Sequence, residues 1–179
     1  MEIQTRIYPE QLSWVIDNMA TRAIPKYFKE TCDAWSQDRL AIHAGGTYWD
    51  TNGSVEYYLY PEVISENSNT IITQIYDNLI EGLKQRPHAK NFFVIFDNHS
   101  TQKSYSVIAF FEWIIRKFLN DCKFYIMFHV RGHTHNRLDM RNSKPRECYF
   151  KSERIETLPD YVCYNIAVIF YYCFIIIIL

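Results

Sequence analysis

Apolar and polar positions change period several times along the chain, and the order of those changes predicts its architecture. Leu12 to Ile16 is a short apolar run closed by Asp17, bounded like a strand and too short for a helix. Arg39 to Trp49 and Val55 to Tyr60 are strand-like runs of aromatic and branched residues, and Asp50-Thr51-Asn52-Gly53 between them supplies turn chemistry, so they predict a hairpin. From Asn67 the period becomes helical. Ile71, Ile75, Leu79 and Leu83 recur every fourth residue, Asn67, Ser68 and Asn69 offer capping oxygens, and Pro87 closes the segment. Asn91 to Phe96 is a continuous apolar run, the pattern of a strand covered on both faces, ending abruptly in Asp97-Asn98. A second helix is expected over Ser104 to Leu119 and a further strand over Phe124 to His129. The order strand, hairpin, helix, strand, helix, strand predicts a mixed α/β sheet with helices packed on it.

Composition agrees with a packed domain. The 179 residues are 48% hydrophobic, 17% aromatic and 22% charged, which excludes disordered, collagenous and low-complexity chains. The net charge of -1 hides an asymmetry: residues 116 to 154 hold ten basic groups and four acids, against nine basic groups and sixteen acids elsewhere. Clustered Lys and Arg suit a polyanion, although a solvated basic face is the plainer reading. Five cysteines without a C-x-x-C pair, and Glu2, Arg6 and Glu10 where a signal segment would be apolar, fit a reduced intracellular protein, nuclear or cytoplasmic.

The end of the chain is unusual. Tyr161 to Leu179 is 19 residues with only Asn165 strongly polar. A membrane span needs roughly 20 apolar residues, so a tail anchor is a minor alternative and the sole membrane contact considered. A buried or aggregation-prone final strand or helix, or an aberrant end left by truncation or read-through, fits the aromatic and branched composition better. The expected organisation is one domain over residues 1–141, itself open to truncation, and an atypical appendage over 142–179.

Chemistry is expected where carboxylates end apolar strands. Asp17 follows Trp14-Val15-Ile16 and Asp97 follows Phe92 to Phe96, while Asp139 lies just after Gly132-His133-Thr134-His135. Three acids at one end of a sheet suit two Mg²⁺ or Mn²⁺ ions about 3.5–4 Å apart, the arrangement of phosphodiester chemistry. Taken singly, Asp97-Asn98 reads more readily as a helix-start cap than as a ligand. Tyr57 to Tyr60 and Trp35 read as packing groups, although aromatics also stack on bases. His43, His88, His99 and His129 read as packing histidines.

Val15-Ile16-Asp17-Asn18-Met19, Leu40 to Gly46, Phe96-Asp97-Asn98 leading into Ile108 to Phe111, and Gly132-His133-Thr134-His135 with Asp139 occur in that order. Over Ser13 to Asp139 the chain thereby resembles a group of uncharacterised transposase-like domains of eukaryotic mobile elements. The resemblance implies an RNase H-like, integrase-like mixed β-sheet with flanking helices. It implies Asp17, Asp97 and Asp139 as metal-binding carboxylates, His133 and His135 orienting phosphate or binding metal, and DNA or RNA as partner without a small-molecule cofactor. The sequence departs from that pattern at Ala20-Thr21, where the family carries an acid and Gln. It departs again at His99 to Lys103, and at Asn136-Arg137, where the family carries Glu-Asp. The implied function is metal-dependent hydrolysis or strand transfer on nucleic acid. A non-catalytic nucleic-acid-binding or relic domain is the alternative. A third reading is a metallophosphoesterase-like hydrolase, because Asp97-x-His99 and Gly132-His133-Thr134-His135 also look like fragments of calcineurin-like enzymes.

Overall fold

The computed structural model describes residues 10–27, 39–97, 99–129, 137–152, 154–157, 159–161 and 173–177. Its elements in chain order are β1 (Gln11–Ile24), β2 (Lys26–Tyr27), β3 (Leu40–Trp49), β4 (Val55–Pro61), α1 (Ser68–Gln85), β5 (Asn91–Phe96), α2 (Tyr105–Phe118), β6 (Lys123–Phe128), α3 (Arg137–Lys151), β7 (Arg154–Ile155) and β8 (Cys173–Ile177). Six strands form a mixed sheet in the order β6-β5-β1-β3-β4-β8, and β2 pairs with β7 in a separate two-stranded ribbon. The β1–β5, β5–β6 and β4–β8 pairs are parallel, whereas β3 and β4 form an antiparallel hairpin. Gly53 completes the hairpin turn at φ 74, the left-handed region that a residue without Cβ enters freely.

The chain folds into two compact units. The first comprises Met1–Ile16, Trp49–Gly53 and Glu66–Thr134. Its core gathers Leu12, Trp14 and Ile16 of β1, Phe92, Val94 and Phe96 of β5, Ile71, Ile75 and Leu79 of α1, and Val107, Phe111 and Ile114 of α2. Those helix positions recur every three or four residues, so each helix lays one apolar stripe on the strands. Asn67 starts α1, its side chain accepting from the amides of Asn69 at 2.8 Å and Thr70 at 3.4 Å, and Ser104 caps α2 through the amide of Val107. The second unit comprises Asp17–Tyr48, Ser54–Ser65 and His135–Leu179. Its core joins Ile24, Ile42, Ala44 and Leu59 to Tyr149, Ile155 and Tyr161. Lys26 Nζ donates to the carbonyls of Tyr149 at 2.6 Å, Phe150 at 3.2 Å and Ser152 at 2.7 Å, closing the C-terminal end of α3.

Two local expectations are corrected. Asp17 does not end the first strand: β1 continues to Ile24, beside its other neighbour β3, and stops where Pro25 offers no amide for a ladder. The apolar run of β5 is not covered on both faces. Its burial alternates, with Phe92, Val94 and Phe96 in the core and Asn91, Phe93 and Ile95 half-exposed. Residues of the apolar tail form β8, which runs parallel to β4 from Cys173 opposite Val55 to Ile177 opposite Leu59. Among the described residues no helix is long and apolar enough to cross a membrane. Trp35 lies outside the described residues, and Tyr57 to Tyr60 are all buried.

Candidate functional site at the strand ends

The parallel β1–β5 ladder runs from Gln11 opposite Asn91 to Ile16 opposite Phe96. The next residue of each strand is a carboxylate, Asp17 and Asp97. The amide of Asp97 donates to the carbonyl of Ile16 at 3.4 Å, the bond that closes the Ile16–Phe96 pair. The carboxyl end of a parallel strand is where open α/β sheets bind ligands; β5 ends here, whereas β1 runs on to Ile24. Asp17 is only 9% exposed, while Asp97 is half-exposed and makes no side-chain hydrogen bond among the described residues.

Asp139 belongs to α3, and its side chain lies outside the description, as do His133 and His135 altogether. Among the described residues no three carboxylate, imidazole or thiol groups gather as a metal cluster, and those three residues stand outside that count. The remaining donors nevertheless have the right chemistry: carboxylate oxygens are hard ligands, suited to Mg²⁺ or Mn²⁺, which take one or two protein carboxylates and complete their shells with water and phosphate oxygens. Asp97 is half-exposed, so solvent reaches its carboxylate.

A further group missed by the sequence reading stands one strand over. The β5–β6 ladder ends at Phe96 opposite Phe128, and the amide of His129 then donates to the carbonyl of Phe96 at 3.0 Å. His129 Nε2 is buried and has no hydrogen-bond partner. The signal lay in the alignment of the two apolar runs: each is followed at once by a polar, ligand-capable residue.

The face of β5 and β6 turned away from the helices carries a stacked pair, Phe93 and Tyr125, with centroids 4.6 Å apart and planes 9° from parallel. Tyr125 and Met127 are 42% and 46% exposed. Ser13, Asp50, Thr51, Phe93, Ile95 and Met127 line a cavity of about 290 Å³ on this face, and Ser13 Oγ donates to Asp50 Oδ2 at 2.9 Å. Between β5 and α2, His99 Nδ1 and Thr101 Oγ1 are 2.8 Å apart, and Lys103 Nζ sits 5.3 Å from the centroid of the Phe128 ring.

The basic stretch of 116–154 is partly neutralised in place. Arg116 pairs with Glu112 at 2.6 Å, Lys151 with Glu147, and Arg154 with Glu156. Exposed pairs of this kind contribute up to about 1 kcal/mol each, so they remain available to exchange partners.

With this geometry in view, the crystal structure of the Mos1 strand transfer complex is similar to the chain with a TM-score of 0.50 at 12% sequence identity. The match covers 91% of this chain and 48% of that one. The chain therefore spans about half the length of that protein. The human cytomegalovirus terminase nuclease domain, Mn soaked and inhibitor bound, aligns at a TM-score of 0.33 and 9% identity, over 94% of this chain and 67% of that one. No curated protein matches the sequence. The fold is RNase H-like, a mixed six-stranded sheet with flanking helices. Residues 32–164 match the family described as a domain of unknown function, DUF7869, and the chain belongs to that family.

Proposed function

We propose that the chain is a transposase-like RNase H-fold domain that acts on DNA or RNA by metal-dependent phosphodiester hydrolysis or strand transfer. In this reading Asp17, Asp97 and Asp139 hold Mg²⁺ or Mn²⁺, and His133 or His135 orients the phosphate. The observation that carries it is the end of the β1–β5 ladder, where the last register pair, Ile16 and Phe96, is followed on both strands by an aspartate. A solved neighbour of this fold belongs to a strand transfer complex, which supports the same class of chemistry.

A divalent cation there supplies positive charge for the leaving oxygen and lowers the pKa of a bound water. The chain's own contribution is placement. The rigid core strands fix the Asp97 backbone, and the exposed stack of Phe93 and Tyr125 offers a flat apolar surface to an unpaired base.

That stack also favours a second reading, in which the domain holds a single strand without cutting it. Incubating the full chain with supercoiled plasmid and with labelled single strands, in Mg²⁺, Mn²⁺ or chelator, separates the two. The enzyme reading expects metal-dependent nicking that falls at least about a hundredfold in Asp97→Asn. Salt-sensitive strand binding that ignores metal, with no nicking, supports the holding domain instead.

A further inference from the structure

We propose that His129 is a metal ligand paired with Asp97, and that this imidazole makes the site prefer Mn²⁺ to Mg²⁺. The inference rests on the reading that the strand ends hold a divalent cation, and it names a ligand and a metal preference beyond it.

In β5, Phe92, Val94 and Phe96 point into the core, and in β6, Phe124, Ile126 and Phe128 pack against that same core. The intervening residues therefore take the opposite face: Phe93, Ile95 and Asp97 from one strand, Tyr125, Met127 and His129 from the other. The register matches them in pairs, Phe93 with Tyr125 and Ile95 with Met127. The first pair is in contact as a parallel stack at 4.6 Å, and the second lines one cavity. Asp97 and His129 are the residues that follow the last pair, Phe96 with Phe128, and the bond from the His129 amide to the Phe96 carbonyl closes that pair and fixes the backbone from which His129 leaves. Neighbouring strands lie about 4.8 Å apart, so two side chains on one face at one step can share a ligand.

The chemistry then selects the ligand. His129 Nε2 is buried without a partner, and leaving a buried polar atom unsatisfied costs about 1–3 kcal/mol. Asp97 also makes no side-chain hydrogen bond among the described residues. A phosphate would meet the Asp97 carboxylate as a like charge. A cation satisfies both groups at once, the carboxylate by charge and a neutral Nε2 by its lone pair. Imidazole is a softer donor than carboxylate and favours Mn²⁺ and the later transition ions over Mg²⁺. Two protein ligands leave positions for water and for phosphate oxygens, as cations in phosphoryl chemistry need.

The test uses the full chain with metal alone and no nucleic acid. Mn²⁺ is titrated by electron paramagnetic resonance, Mg²⁺ by calorimetry, and the nitrogen coupling to bound Mn²⁺ is read by pulsed spectroscopy. The expected result is tighter binding of Mn²⁺ than Mg²⁺, with a nitrogen coupling that disappears in His129→Ala. That variant should bind Mn²⁺ at least about tenfold more weakly while Mg²⁺ affinity changes little. His129→Gln, which keeps the side chain's bulk and polarity, gives the same loss of coupling if folding of the alanine variant suffers. Cation binding with no nitrogen coupling, or with one that persists in both variants, overturns the role of His129 and leaves the carboxylate site standing. Absence of any Mn²⁺ or Mg²⁺ binding overturns both.

Discussion

The amide of His129 donates to the carbonyl of Phe96 at 3.0 Å, closing the last pair of the β5–β6 ladder, Phe96 with Phe128. Together with the Asp97 amide on the Ile16 carbonyl, it ties the ends of β5 and β6 to the middle of β1, their parallel neighbour in the sheet. Backbone order there follows from the apolar core beneath, so polar residues at the edge can be changed with little cost to the fold. Asp97→Asn should accordingly unfold within about 0.5 kcal/mol of the wild type in metal-free urea titrations, as expected for a half-exposed side chain. A much larger loss would make Asp97 a structural group.

The close approach of α1 to the first core is set by Gly82. A Cβ at that position would lie 3.1 Å from Leu12 Cδ1 and 3.2 Å from Trp49 Cη2. Alanine gains about 1 kcal/mol of helix propensity over glycine. Trp49 is fully buried and stacked at a tilt 5.4 Å from Trp14, so its ring has no free space to yield. Gly82→Ala should therefore be net destabilising, by about 1–2 kcal/mol in chemical denaturation, because overpacking outweighs propensity.

Lys26 presents its ammonium to three carbonyls at the end of α3 and lies 5.1 Å from the centroid of the Tyr149 ring. A cation there also complements the negative end of the helix dipole. Lys26→Met keeps the aliphatic stem and removes the donors, so a loss of about 2 kcal/mol is expected from the charged hydrogen bonds. Hydrogen exchange should localise the loss to residues 146–151; a variant as protected there as the wild type would contradict the capping role.

Cys122 is pushed above the ordinary thiol pKa, first by partial burial and then by the neighbouring Asp121 carboxylate, with Lys90 opposing. The folded state thus holds the thiol protonated. That contribution is fully present below the unfolded thiol pKa and is lost as pH rises through the folded value. Alkylation of native Cys122 by iodoacetamide should stay slower than that of an unfolded thiol until pH passes well above 9.0, the unperturbed value. Equal rates at pH 8 would contradict it.

Much of the first unit was legible because its elements carry local signals. Asn67 caps its helix as expected, the second helix follows Ser104, the run Asn91 to Phe96 forms a strand with those bounds, and Gly53 marks the hairpin turn. The second unit was harder because its elements depend on distant partners. α3 is rich in Arg and Lys and is held by Lys26, 123 residues away from Tyr149 in sequence, while β2 and β7 are only two residues each. β1 beyond Asp17 alternates too irregularly to read as a strand without knowing that β3 lies beside it. At the site, Asp17 and Asp97 were visible because each abruptly ends an apolar run. His129 reads as an ordinary packing histidine until the register shows that it follows Phe128 where Asp97 follows Phe96.

The central claim is that the aspartates following Ile16 and Phe96 bind a divalent cation. The most direct measurement is an anomalous difference map from crystals of the full chain soaked in Mn²⁺. The expected result is a peak within about 2.0–2.3 Å of a carboxylate oxygen of Asp97, and no such peak in Asp97→Asn. A map with Mn²⁺ bound only elsewhere, or with the peak unchanged in the variant, would contradict it.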